Sequence, residues 1–182
     1  MDEQLLIDGC KRGDPLARKQ IYELYAPTMM SVCMRYVNNK ETAKDLLQDG
    51  FITVFTKIDT YSGTGAFAGW LRRIFVTTAL QHLRRNDTLK QSINIDEYEG
   101  VVENVDTSAL EQLSADDLMA CIAQLPSGFR TVFNLFAIEG YSHQEIAKML
   151  NIKESTSRSQ FIRARKALQK NVQSLIDHGN AG

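Results

Sequence analysis

The residues best suited to chemistry lie late in the chain, in the run YSHQEIAKMLNIKESTSRSQFIRARKAL over 141–168. On a helix starting near Ser155, Thr156, Arg158, Ser159, Ile162 and Arg163 share the outward side. These types suit a DNA major groove. Arginine bonds guanine bidentately or holds phosphate, serine and threonine reach phosphates, and isoleucine covers a thymine methyl. Ser157, Phe161, Ala164 and Leu168, spaced i, i+4, i+7 and i+11, form the opposing buried stripe. Arg165 and Lys166 lie further along, towards backbone or solvent. The chemistry indicated is binding rather than catalysis. His82, His143 and His178 are dispersed, and no nucleophile–base pair, phosphate loop or paired-carboxylate site stands out, so no enzyme and no cofactor are expected. His143, in the first turn of a helix, is expected to meet solvent or DNA backbone. Cys10, Cys33 and Cys121 are odd in number and form no CxxC pair, which predicts reduced, partly buried thiols rather than a disulfide framework or zinc site.

Particular elements must hold that face in place. Ser142 and Glu145 make an S-x-x-E capping box that opens a short amphipathic helix. Asn151 sits where a left-handed residue would stop it, and Ile152 plugs the turn. Two short helices, a tight turn and a basic second helix running to about Lys170 predict a helix-turn-helix. Upstream, Ser114 caps DDLMACIAQL, whose first-turn acids suit the helix dipole. Pro126 ends that helix, and another spans about 127–138.

The N-terminal half also reads as helix. Residues 3–11 form a short amphipathic turn or two of helix, stopped by Gly13. Asp14 as N-cap with Pro15 starts a second, which Pro27 should kink or break before it runs on to about Val37. A third covers about 40–57, with Leu46, Leu47, Phe51, Val54 and Phe55 on a broad apolar face; Gly50 within it should cost about 1 kcal/mol. Residues 59–66, DTYSGTGA, are a loop. A fourth helix covers about 67–86 and carries Arg72, Arg73, Arg84 and Arg85, placed for phosphate or for solvent.

The formal net charge of −1 over 182 residues conceals a pattern. Residues 1–88 carry 12 Lys/Arg against 10 Asp/Glu, residues 89–113 carry 1 against 6, and residues 114–182 carry 8 against 6. An acidic middle therefore masks two mildly basic ends, which would bind DNA weakly alone and depend on a partner. The expected fold is all-α: two small four-helix domains, 1–88 and 114–182, joined by the acidic linker 89–113. The linker either mimics nucleic acid in a basic channel or is simply solvated, and INIDEY within it could form a brief strand. MDEQLLIDG does not read as a signal peptide, and no run approaches the ~20 apolar residues of a membrane span, so a cytoplasmic protein without membrane insertion is expected.

Three segments in this order and spacing resemble the extracytoplasmic-function (ECF) sigma factors of bacterial RNA polymerase, over roughly 10–85 and 112–172. EGYSHQEIAKMLNIKESTSRSQFIRARKAL, with LPSGFRTVFNL before it, resembles the family's C-terminal domain, which reads the promoter −35 element. The resemblance implies DNA contact by Thr156, Arg158, Ser159, Ile162 and Arg163, with Ser157 standing where many members have Val. ETAKDLLQDGFITVF resembles the polymerase-binding helix and implies that Asp45, Leu46, Gln48, Asp49 and Phe51 meet the β′ coiled coil; Asp49 replaces the commoner Glu. FAGWLRRIFVTTALQHLRR resembles the −10 recognition region. There the resemblance implies roles for Tyr61, Ser62, Thr64, Phe67, Trp70, Arg73 and Thr77 around a captured, unstacked base, although Thr77 stands where many members have Asn. Trp70 reads as core or as stacking platform. The implied partners are RNA polymerase core (β′ coiled coil and β flap), promoter DNA and an anti-sigma factor. A stand-alone helix-turn-helix regulator would explain 141–168 but leave DLLQDGF and the Trp70 helix without a role.

Overall fold

The computed structural model describes residues 2–86 and 113–179. The acidic linker, with INIDEY, lies outside the described residues. The chain divides after residue 86 into two compact units. Among the described residues there are eight α-helices and no strand.

In the first unit α1 is Glu3–Lys11, α2 Pro15–Val37, α3 Lys40–Lys57 and α4 Phe67–Arg85. Local signals set the boundaries. Asp2 accepts from the Gln4 N–H and Asp14 from the Leu16 N–H, while Asn39 caps α3 through the Thr42 N–H. Asn38 ends α2 at φ 47°, a left-handed value that asparagine tolerates better than most residues. Of the kink or break expected at Pro27, the break does not occur: α2 runs through it. Pro27 and Glu23, whose carbonyl loses its helical donor, are both exposed, so water can satisfy that group. Buried Ile21 on one side and Met29, Val32 and Tyr36 on the other hold both halves in one core.

Gly50 has a tertiary reason to be in the middle of α3. A Cβ there would fall under 3.0 Å from three ring carbons of Phe75 on α4. The Phe75 ring is fully buried and packs edge-on against Phe51, with centroids 5.1 Å apart. Glycine therefore lets α3 and α4 approach closely, and that contact outweighs the helix propensity it forfeits.

The second unit contains α5 (Ala115–Ala123), α6 (Ser127–Phe133), a π-helical turn (Asn134–Ile138), α7 (His143–Leu150) and α8 (Glu154–Gly179). Its core gathers Ile122, Leu125, Phe129, Ala164 and Ala167. Ser114 and Asp117 form a full capping box, as do Ser142 and Glu145. Pro126 caps α6, α5 having already ended at Ala123. The Arg130 guanidinium donates to the Ala123 carbonyl at 3.0 Å and so closes the end of α5. Helix α8 runs past the expected end near Lys170 because its last turns find partners. Val172 is buried, and the Asn171 side-chain amide donates to the Cys121 carbonyl at 3.1 Å.

Candidate nucleic-acid and polymerase-binding surfaces

The helix-turn-helix is built by α7 and α8. Asn151 takes φ 54°, ψ 50°, and the Ile152 N–H donates to the Ala147 carbonyl at 3.0 Å, which fixes the turn. On α8, Ser157 and Ala164 are fully buried, while Phe161 and Leu168 are half-buried. Arg158 and Ile162 are exposed, Ile162 at 53%, and Thr156, Ser159 and Arg163 are partly exposed. The five residues singled out from sequence therefore line the side of α8 away from its most buried positions. Arg158 pairs with Glu154 one turn earlier at 2.5 Å. The Ser159 hydroxyl donates to the Thr156 carbonyl.

His143, expected to meet solvent or DNA backbone, is partly exposed and also has partners within the unit. Its ring stacks on Phe136 at 4.3 Å and 11°, and its Nδ1 lies 2.9 Å from the Ser157 hydroxyl. Buried Ser157 thus has a specific polar partner that ties the start of α7 to the start of α8. Burial, and then the nearby Arg158 charge, lower the His143 pKa from its ordinary value, with Glu154 opposing. In the unfolded chain the imidazole takes up its proton first, near pH 6.5. The neutral ring's contribution to stability is therefore complete above that pH and lost as pH falls through the lower folded value. In thermal unfolding between pH 7.5 and 5.5, the advantage of wild type over His143→Gln should shrink with falling pH; a constant advantage would contradict this linkage.

In the first unit the loop before α4 has two left-handed glycines, Gly63 and Gly65, both at φ 77°. Ser62 and Thr64 are exposed, with hydroxyls 2.6 Å apart. Tyr61 and Phe67, expected beside DNA, are instead core residues at 6% and 1% exposure. The Tyr61 hydroxyl donates to the Gly65 carbonyl at 2.8 Å and closes the loop from beneath. Trp70 is half-buried and stacks on Phe67 at 5.6 Å, so it serves the core while keeping an exposed edge. Arg73 and Thr77 are exposed; with Trp70 they lie at i, i+3 and i+7 on one side of α4. The Thr77 hydroxyl donates to the Arg73 carbonyl, leaving its lone pairs free to accept.

On α3, Asp45, Gln48 and Asp49 are exposed, but Leu46 and Phe51 are buried. Leu46 and Phe51 therefore belong to the core rather than to a docking face, because the strongest apolar positions of an amphipathic helix turn inward. The sequence reading missed Ile52, 65% exposed and one turn from Gln48 and Asp49. The signal was present: Ile52 falls off the apolar stripe of α3.

Residues 21–88 match the Sigma-70 region 2 family and residues 115–168 match Sigma-70 region 4. The ECF RNA polymerase sigma-E factor of Escherichia coli is 30% identical over 188 aligned positions, covering 97% of both chains. The chain belongs to the ECF sigma-factor family. The RNA polymerase sigma-H factor of Pseudomonas aeruginosa is 29% identical over 96% of this chain and 95% of its own. The fold is shared with the sigma factor RpoE of Bartonella quintana, solved with the anti-sigma factor NepR (TM-score 0.52, 22% identity, covering 85% of this chain and 96% of that one).

This ECF sigma factor acts with RNA polymerase core and promoter DNA in promoter-specific initiation of transcription. Sigma factors are DNA-binding initiation factors rather than enzymes. Among the described residues no group of His, Cys, Asp and Glu is placed to hold a metal ion, and no helix is long and apolar enough to cross a membrane. The three cysteines are free, buried thiols. Burial pushes the Cys33 thiol up to about 12, which leaves it protonated and inert at neutral pH.

Proposed function

We propose that the family's promoter and polymerase contacts fall on three separate exposed faces of this chain. The observation that carries this reading is the split between the two sides of each helix. On α8, Arg158 and Ile162 face out behind buried Ser157 and Ala164; on α3, Asp45, Gln48, Asp49 and Ile52 face out behind buried Leu46 and Phe51. In this reading α8 enters the major groove of the −35 element. The loop Ser62–Ala66, with Trp70, Arg73 and Thr77 on α4, holds an unstacked base of the −10 element. The α3 face docks on the β′ coiled coil of RNA polymerase, and the second unit meets the β flap. Two weak DNA contacts carried on one polymerase then act as a linked pair, so assembly raises promoter affinity by effective concentration. The protein has no catalytic site of its own, works in the cytoplasm, and is held inactive by an anti-sigma factor. That last part is supported by the NepR-bound relative of the same fold.

The α3 face is tested by titrating core polymerase with labelled protein. The triple variant Gln48→Ala, Asp49→Ala, Ile52→Ala should lose about tenfold or more in affinity, as removal of a small cluster of interface side chains does. Its helix content should be unchanged, because all three positions are exposed. Wild-type affinity for core would remove α3 from the interface.

A further inference from the structure

The Sigma-70 region 2 match begins at residue 21, so α1 lies outside it. Yet α1 is tied to the loop before α4 from both ends. The Lys11 ammonium, at its C-terminus, donates to the Tyr61 carbonyl at 3.1 Å, across 50 residues of chain. At its N-terminus, the Tyr25 hydroxyl donates to the Glu3 carboxylate. The Tyr25 ring in turn packs edge-on against Phe67 at 5.7 Å. Tyr61 and Phe67 are the two residues between which the chain leaves the core and returns: Ser62 to Ala66 are all exposed, and Tyr61 and Phe67 are buried against each other at 5.1 Å.

We infer that Lys11 and the Glu3–Tyr25 pair are positioning residues that fix the two stems of the promoter-reading loop, making α1 a determinant of −10 selectivity. This rests on the loop reading proposed above. The physical basis is that the loop is anchored by its two buried stems, one of which, Tyr61, also holds the Gly65 carbonyl, so it presents its exposed atoms as accurately as those stems are held. Gly63 and Gly65 take the left-handed φ of 77° that the turn between the stems requires, so the course of the loop follows from where the stems are placed. The Tyr61 carbonyl begins the loop, and the Lys11 ammonium gives it a charge-assisted partner, the stronger class of hydrogen bond.

The test measures open-complex formation by the complete holoenzyme on promoters differing at single −10 positions, over a range of salt. Lys11→Met keeps the apolar stem and removes the donor. It should reduce discrimination between the preferred base and its substitutes by about tenfold, the lower end of the scale of one hydrogen bond to a charged group. Lys11→Arg should restore most of it, and Tyr25→Phe should lower it in the same direction. Core affinity and −35 preference should stay at wild-type values, since Lys11 lies on α1, outside both faces proposed for those contacts. A lysine that held DNA phosphate would instead give an equal loss on every sequence with the salt slope reduced by about one, and that result would overturn the inference. So would full discrimination in Lys11→Met while Ser62→Ala, Thr64→Ala loses it, which would leave the loop reading standing without the brace. If the Ser62→Ala, Thr64→Ala variant and Lys11→Met both discriminate as wild type does, the loop reading and the brace fall together.

Discussion

Gly50→Ala should destabilise the full chain by about 1–2 kcal/mol, since overpacking a well-filled core costs ~1–3 kcal/mol, towards the upper end against a fully buried ring, and the ~1 kcal/mol gain in helix propensity only partly offsets it. The cost is set by where the new methyl must go. It would occupy the space of the Phe75 ring, which is fully buried and braced by Phe51, so neither helix can yield without opening the α3–α4 contact. For a unit of this size that corresponds to a fall in melting temperature of roughly 4–16 °C. The change should also weaken core binding, because α3 carries Asp45, Gln48, Asp49 and Ile52 on its outer face. A thermal melt of Gly50→Ala, Phe75→Ala and the double variant checks the mechanism. The two changes should be less than additive by at least ~1 kcal/mol, as expected for residues sharing one space. Additive losses, or a stable Gly50→Ala protein, would mean that the close approach of α3 and α4 does not need glycine.

Arg158→Ala should cost ~1–3 kcal/mol on promoters with the preferred −35 base, about five- to 150-fold, and much less on promoters lacking it. Arg158 is exposed, one turn from Ile162, and its guanidinium is held by Glu154 in the free protein. That pair is solvent-exposed and worth little to stability, so the substitution should leave the melting temperature close to wild type. The Glu154 carboxylate engages one terminal nitrogen of the guanidinium and leaves its other donors for a base edge or a phosphate. The measurement is initiation by holoenzyme on a panel of −35 variants. Loss confined to one −35 position assigns Arg158 to that base. An equal loss on every sequence would assign it to phosphate instead and withdraw the base-reading role.

Much of this architecture is legible in the sequence because its signals are local. Asp14–Pro15, Ser114, Ser142–Glu145 and Asn151 set helix ends through atoms within four residues of themselves, and each takes the cap geometry that its type suggests. What the sequence hides depends on distant partners. Gly50 reads as a flaw until Phe75 is placed beside it. Pro27 reads as a break until the buried residues on both sides are seen to belong to one core. His143 reads only as a solvent- or DNA-facing residue, and its contacts with Phe136 and Ser157 come from distant parts of the chain. The same limit applies to the candidate sites. A motif states which residues recur but not which of them support a surface and which form it. Tyr61, Phe67, Leu46 and Phe51 stand in such motifs and are buried, while Ile52, off the apolar stripe, is exposed.

The most direct test is reconstituted transcription from a promoter library, using purified cognate core polymerase, the full-length protein and no anti-sigma factor. The account predicts initiation from a restricted promoter set. The α3 triple variant should lose output from every promoter alike, whereas Arg158→Ala should redistribute it according to the −35 sequence. A folded protein that binds no core and initiates nowhere, yet binds a duplex operator tightly by itself, would contradict the account.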